Sequence, residues 1–416
     1  MEKAFFRMAL GLALFLALPL MISGQMVDED FLQMKVDVIY LSSDNLEGRE
    51  PGTQGGEEAA NYIAWRFGQI GLKPVGRGHS WFQPFEFSFR KNPHDATSEQ
   101  RRMGKNVLGY LDNGAATTVV ITAHYDHLGY GVTGSRYLGS EPAIHNGADD
   151  NASGVALMMY LAEKLKEDGP KSNNYLFIAF SAEEFGLIGS KFFVEHPTLR
   201  LEDVNYVINL DMVGRLKEDG TLIVNGAGTS PAWKDALAKI RVGNIHLKTF
   251  DSGVGPSDHA SFYLKNLPVL HFFSGQHEDY HKPGDDSALI NFAGMYDIGD
   301  FILQLIAALD GQDKLAFAKT KDEQQEGRRA AKYKVTLGVM PDYAFTGKGL
   351  KIDGVREEGP AAKAGIQAGD VILKMGETEV NDIYGYMEGL AQYEAGDKTK
   401  VVVLREGKEI QVQVQF

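Results

Sequence analysis

Four short apolar runs, alternating with stretches of helical periodicity, constrain the middle of this chain more than any other feature. Residues 117–123, 175–180, 206–210 and 268–273 are rich in β-branched and aromatic side chains and have the length of buried strands. Between the first two, Val155, Leu157, Met158, Leu161 and Leu165 recur at helical spacing within residues 153–167. Residues 186–195 read as a second helix. Alternation of this kind predicts an α/β domain with a mostly parallel central sheet flanked by helices.

At 416 residues the chain is long enough for two or three domains. Its composition changes over residues 310–332, where Lys, Asp, Glu, Gln, Arg and Ala displace large apolar residues. That stretch reads as a charged linker or solvated helix, bounded here as 313–332. Residues 333–416 carry strands of their own, at 400–404 and 410–416, and form a second, small β-rich domain. At the other end, Lys3 and Arg7 precede an uncharged run from Met8 to Ile22, followed by Ser23 and Gly24. The pattern is that of an export signal over residues 1–24, with an uncleaved N-terminal anchor as the alternative reading. The run is short of the ~20 residues that span a bilayer. The mature chain is therefore expected to be periplasmic or extracellular, with no stable membrane span, and its main domain to occupy residues 25–312.

A net charge of −14 argues against nucleic acid as a partner, because a phosphate backbone needs a basic face. The absence of cysteine excludes disulfides, thiolate nucleophiles and thiolate ligands. Any metal must be held by imidazoles and carboxylates. Such groups recur just past the predicted strands: His124-Tyr-Asp126-His127, then Gly147-Ala-Asp149-Asp150-Asn-Ala-Ser-Gly154, Ser181-Ala-Glu183-Glu184, Asn209-Leu-Asp211 and Tyr280-His281. Ligands of open α/β sheets gather at the carboxyl ends of the strands. A single Asp or Glu in a turn is usually a cap or a solvated charge, but five such segments at one sheet edge point to a metal site. Nitrogen and oxygen donors without sulfur suit zinc, with cobalt or manganese as alternatives. A shared carboxylate would hold two ions ~3.5–4 Å apart, as in aminopeptidases and phosphatases. Adjacent Glu183 and Glu184 could divide the tasks of general base and ligand.

These segments, in this order, resemble the dizinc exopeptidase family of bacterial leucyl aminopeptidases, whose relatives include glutamate carboxypeptidase and glutaminyl cyclase. The likeness runs from about residue 40 to 309 and begins with Leu46-Glu-Gly-Arg-Glu-Pro-Gly-Thr53. It implies a zinc aminopeptidase-like fold and two Zn2+ per domain. Asp150 would bridge both ions, His124 and Asp211 would complete one site, and Glu184 and His281 the other. Asp150 is preferred to Asp149 because the family's bridging Asp stands three residues before the Ser of the Ser-Gly pair. Glu183 would be the general base and Tyr280 an oxyanion donor. Asp126 would orient the His124 ring, and Asp258 of Ser257-Asp258-His259 would lie just outside the ligands, unless it serves only as a helix cap. His127 reads as a surface or outer histidine. The implied activity is hydrolysis of the N-terminal bond of peptide substrates. Carboxypeptidase, dipeptidase or glutaminyl cyclase chemistry on the same fold remains the alternative, as does a non-catalytic receptor.

His277-Glu278-Asp-Tyr-His281 also satisfies the H-E-x-x-H pattern of zinc endopeptidases, which requires a helix. Gly275 before it and Lys282-Pro283-Gly284 after it predict a loop instead. In the second domain, Leu337-Gly338-Val339, Gly359-Pro-Ala-Ala-Lys-Ala-Gly365 and residues 367–373 resemble a PDZ domain of the bacterial protease type. That likeness implies that a protein or peptide C-terminus adds as a strand, its carboxylate held by amides around Leu337, Gly338 and Val339. The alternative is a small β domain that only packs on the first.

Overall fold

The strands read from the middle of the chain form the centre of a nine-stranded sheet. The computed structural model describes residues 29–76, 78–90, 99–137, 139, 141–320, 335–341, 347–355, 359–381 and 383–416. The export signal expected at 1–24 lies outside these residues. The sheet comprises β1 (Lys73–Pro74), β2 (Phe82–Arg90), β3 (Glu99–Leu111), β4 (Thr117–His124), β5 (Asn173–Phe180), β6 (Val204–Leu210), β7 (Thr221–Asn225), β8 (His246–Thr249) and β9 (Val269–Phe273). Their order is β1-β3-β5-β4-β6-β9-β7-β8, with β2 also paired to β3. The central β5-β4-β6-β9 segment is parallel. The flanking pairings β3–β5 and β7–β9 are antiparallel, so the sheet is mixed, with its parallel part where the sequence placed it.

Seven helices of this domain are α1 (Glu29–Leu41), α2 (Gln54–Ile70), α3 (Gly154–Glu167), α4 (Ile188–Glu195), α5 (Ala232–Leu237), α6 (His259–Tyr263) and α7 (Phe292–Leu309). They cover both faces of the sheet, which is why the central strands read as continuous apolar runs. Val119, Ile121, Tyr175, Phe177, Tyr206 and Ile208 pack into one core with α1, α2, α3, α5 and α7. Their neighbours Val120, Leu176, Ile178 and Val207 pack into another, with Phe193 of α4 and Phe262 of α6. This is the two-residue alternation of a strand buried on both sides. By length and composition α7 could cross a membrane. Here Met295, Ile298, Phe301, Ile302 and Leu305 place one side of it in the core.

Residues 315–320, within the first part of the expected linker, pack on this domain. Leu315 N–H donates to Asn205 Oδ1 (2.8 Å), Ala318 N–H to Thr229 O (2.7 Å) and Thr320 N–H to the Tyr263 hydroxyl (2.9 Å). The remainder, 321–332, lies outside the described residues. The second domain contains β10 (Val339–Pro341), β11 (Leu350–Val355), α8 (Pro360–Lys363), β12 (Val371–Met375), β13 (Thr378–Glu379), α9 (Ile383–Leu390), β14 (Lys398–Arg405) and β15 (Lys408–Gln415). Its sheet, ordered β10-β11-β12-β14-β15 with β13 on β12, is antiparallel. Leu337, Ile352, Ile372, Met375, Val401, Val403 and Val414 form its separate core.

The glycines that open α2 are required by close packing against the 46–53 segment. The first turn of α2, capped by Thr53 Oγ1 accepting from Gly56 N–H, crosses the backbone of residues 46–50. A Cβ on Gly55 would stand 1.9 Å from Leu46 O. Backbone cannot yield as a side chain can, so Gly55→Ala is expected to destabilise the domain by about 1–3 kcal/mol. A shift in the midpoint of denaturant unfolding measures this; an unchanged midpoint would show that the turn is free to move.

Candidate metal centre

Register along the parallel strands delivers the side chains to one edge. His124 is the last residue of β4 and stands opposite Phe180, the last of β5; Thr122 stands opposite Asn209. Asp211 therefore leaves β6 level with His124, and Glu183 and Glu184 follow β5 in the same direction. Below them Thr122 Oγ1 donates to Asn209 Oδ1 (2.6 Å), and Asn209 Nδ2 donates to Ser257 Oγ (2.8 Å).

Asp150 arrives on an irregular turn, residues 148–153, that contains a cis peptide between Asp150 and Asn151. This turn has no strand of its own, so side chains stitch it in place. Asn151 Nδ2 donates to Leu210 O (2.9 Å), while its Oδ1 accepts from Met212 N–H (3.1 Å) and Gly154 N–H (3.0 Å). Asp149 Oδ1 accepts from Gly214 N–H (2.6 Å) and Ser153 Oγ from Val213 N–H (3.1 Å). Asp285 accepts from the amides of Asp149 and Asp150, both at 3.0 Å. Arg49, fully enclosed, donates to the carbonyls of Leu41, Tyr125 (2.7 Å), Asn146 (2.6 Å) and Gly147 (3.0 Å). One guanidinium thus ties the 46–53 segment to the chain beside His124 and to the turn carrying Asp150.

The donors fall into two groups that share Asp150. His124 Nε2 lies 3.3 Å from Asp150 Oδ1 and 3.4 Å from Asp211 Oδ1. His281 Nε2 lies 3.2 Å from both Asp150 Oδ2 and Glu184 Oε2. Four-coordinate zinc with ligands at about 2.0–2.1 Å separates neighbouring donor atoms by about 3.3 Å. The His–carboxylate spacings match such an ion on either side, and the donor atoms of His124, Asp150 and Asp211, like those of His127, Asp150 and Glu184, lie close enough together to hold one. Both imidazoles are oriented through Nδ1 to a backbone carbonyl, His124 to Asp126 O (3.1 Å) and His281 to Gly134 O (2.9 Å), which leaves Nε2 for the site.

Burial and crowding set the charges. Burial alone would raise Asp150 and Glu184, but His127, His124 and His281 outweigh it, holding Asp150 well below the usual carboxylate range and Glu184 at about 2. Burial opposes charge on His124 and His281 as well, yet the surrounding carboxylates hold both well above an ordinary histidine. Glu183 goes the other way. Its burial, together with Asp258, Glu184 and Asp211, outweighs His124 and pushes its carboxyl well up. Burial also lifts Asp126 to about 7, and Asp258 and Asp285 to about 6. Tyr280, stacked on His281 with ring centroids 3.9 Å apart, is held well above an ordinary phenol by burial and by Asp150, Glu184, Glu183 and Asp211.

Several sequence readings change here. Asp126 does not orient the His124 ring through its carboxylate, which is 3.9 Å from Nδ1. Its backbone carbonyl does that, because the carboxylate instead accepts the amides of Glu183 (3.1 Å) and Glu184 (3.4 Å). His127 is no surface residue; it is fully buried, with Nδ1 2.9 Å from Glu184 Oε1. Asp258 stands at the N-cap position just before α6 but makes no side-chain cap. The H-E-x-x-H stretch keeps the reading its flanks gave and is a turn: His277 Nε2 pairs with Asp149 Oδ2 (3.2 Å) while His281 faces Asp150 and Glu184, so the two do not converge. In the second domain Leu337 is buried in the core, Gly338 N–H donates to Thr336 Oγ1 (3.1 Å) and Val339 opens β10. Arg49, Asn151 and Asp285 are given no role by the sequence reading, although Arg49 and Asn151 lie within quoted segments and Asp285 directly follows Lys282-Pro283-Gly284.

Residues 106–306 match the family model described as peptidase family M28, and residues 320–416 that of the PDZ domain. Aminopeptidase YwaD of Bacillus subtilis (strain 168) is 32% identical over 197 residues, 44% of this chain but only 39% of that protein's length. The structure of BSAP, a zinc aminopeptidase from Bacillus subtilis, superposes with a TM-score of 0.53 at 18% identity, covering 69% of this chain and 98% of that one. The LapA aminopeptidase of Legionella pneumophila superposes with a TM-score of 0.52 at 20% identity, covering 68% and 71%. At those identities the superpositions speak for the fold.

The raised carboxyls predict how the metal-free chain responds to pH. Asp126, Asp258 and Asp285 hold protons in the folded state that the unfolded chain releases near pH 4, so their contribution to stability is lost as pH rises to 6–7. His124 and His281, also raised, contribute below pH 6.5 and lose that contribution as pH rises further. Asp150 and Glu184 act oppositely, but only below their ordinary values. The melting temperature of chelator-treated protein should therefore fall from pH 5 to pH 8, and zinc should close the gap. A melting temperature that rises across this window would contradict the charge assignments.

Proposed function

The chain joins a peptidase family M28 domain to a PDZ domain, and from that premise we propose that it is an exported aminopeptidase that uses two zinc ions. The supporting observation is the pair of donor groups sharing Asp150, with His124 and Asp211 on one side and Glu184 and His281 on the other. Zinc ions held there would polarise the scissile carbonyl and bring the pKa of a water toward neutrality.

The chain's own residues supply the rest. Glu183 stands beside the ligands without being needed as one, and, ionised once zinc offsets the crowding by Asp258, Glu184 and Asp211, it would take a proton from the attacking water and give it to the leaving amine. Asp126 fixes it from behind by accepting the Glu183 amide. Tyr280 keeps its proton, so its hydroxyl is a donor for the oxyanion that develops on the carbonyl. Export rests on the basic and apolar pattern of residues 1–24, and puts the enzyme in the periplasm or outside the cell. The PDZ domain would take the C-terminus of a peptide or protein as an added strand beside β10, near the backbone of Leu337, Gly338 and Val339.

Two measurements test the reading. Zinc-loaded protein given a peptide with a free N-terminus and its N-acetylated twin should shorten only the first, residue by residue, as followed by mass spectrometry. Loss from the C-terminus of both would make it a carboxypeptidase, and internal cuts an endopeptidase. Glu183→Gln should retain both zinc ions while kcat falls about 10²–10⁴-fold. A normal kcat in that variant would remove Glu183 from the chemistry.

A further inference from the structure

His127 is a buried group, beside the proposed ligands, that the mechanism above leaves unused. It follows Asp126 on the segment leaving β4, is fully buried, and lies edge-on to His281 with ring centroids 5.7 Å apart. Space for it is built into the backbone. Gly147 has φ +54° and a Cβ there would come within 2.5 Å of the His127 ring. Its Nδ1 is 2.9 Å from Glu184 Oε1 and 3.8 Å from Asp150 Oδ2, and with one atom from each of those residues it meets the spacing of a metal-binding trio. The arrangement therefore admits two roles, a further ligand or a clamp on Glu184.

The other ring nitrogen decides between them. A ligating imidazole donates its second N–H to an acceptor, as His124 does to Asp126 O and His281 to Gly134 O. His127 Nε2 is buried with no hydrogen-bond partner. Were Nδ1 to bind metal, Nε2 would carry the proton and bury an unpaired N–H, a penalty of about 1–3 kcal/mol. With the proton on Nδ1, the buried Nε2 carries only a lone pair and the N–H is satisfied by Glu184.

Resting on the two-ion reading above, we propose that His127 is a positioning residue: its Nδ1–H holds Glu184 Oε1, so that Oε2 alone turns toward the ion shared with His281 and Asp150. The two ion sites then differ. One carboxylate ligand, Glu184, has a dedicated side-chain clamp, and the effect of removing that clamp falls on its own site.

The test is zinc binding by the full exported chain, stripped of metal and titrated against a chromophoric competing chelator. The parent chain should bind two zinc ions. His127→Leu, which keeps bulk but removes the donor, should weaken one of them about 10–100-fold and leave the other unchanged. His127→Asn, whose amide can donate from a similar position, should restore most of the lost affinity. X-ray absorption of the zinc-loaded parent should count two imidazoles over the two ions. Unchanged affinity at both sites in His127→Leu would overturn the clamp, and a third imidazole in the parent would make His127 a ligand. A parent chain that binds fewer than two zinc ions would instead overturn the two-ion reading itself.

Discussion

Too many carboxylates for one low-dielectric space is the constraint on which this structure turns. Asp126, Asp150, Glu183, Glu184, Asp211 and Asp258 crowd the carboxyl ends of β4, β5 and β6, five of them with little or no solvent contact at the carboxylate. Like charges this close cannot all ionise without cations between them. The metal-free chain divides the burden. Asp150 and Glu184 stay ionised against three histidines, whereas Asp126, Glu183 and Asp258 hold their protons more tightly than an exposed acid. Under the proposed reading, two divalent ions relieve the same repulsion and turn it into affinity.

Holding such a cluster together requires rigid backbone, and the chain finds it in two ways. The parallel strands supply fixed exits for His124, Asp211 and the Glu183-Glu184 pair. The 148–153 turn has no ladder to rest on. It depends on Asn151, Ser153, Asp149 and Asp285, whose side chains satisfy backbone groups of the turn and of residues 210–214. Arg49 binds four carbonyls behind the cluster and remains a cation there, although burial lowers it to about 10 against the pull of Asp126, Asp150, Asp285 and Glu184. The segment from Leu46 to Thr53 is thus part of the site's foundation while contributing no ligand.

The central and edge strands of the large sheet differ in how far the sequence shows them. Strands read as 117–123, 175–180, 206–210 and 268–273 correspond to β4, β5, β6 and β9, because burial on both faces leaves an uninterrupted apolar run. The antiparallel strands at the edges of the sheet escaped reading, since half-exposed strands carry mixed side chains. The linker was drawn from charge alone, and charge did not reveal that residues 315–320 would find Asn205, Thr229 and Tyr263 to bond.

Sequence by itself determined the chemistry available: no thiol, imidazoles and carboxylates after successive strands, and a glutamate pair after β5. These are local facts, since a strand's exit and the residues just beyond it lie within a few peptide bonds of one another. Only the tertiary structure decided what each side chain does. It put the Asp126 carboxylate on the Glu183 and Glu184 amides instead of the His124 ring, buried His127 against Glu184, and sent His277 to Asp149 while His281 turned to Asp150. Each of those choices depends on a partner dozens of residues away or on one bond rotation within the same loop, and neither is written in residue type or spacing.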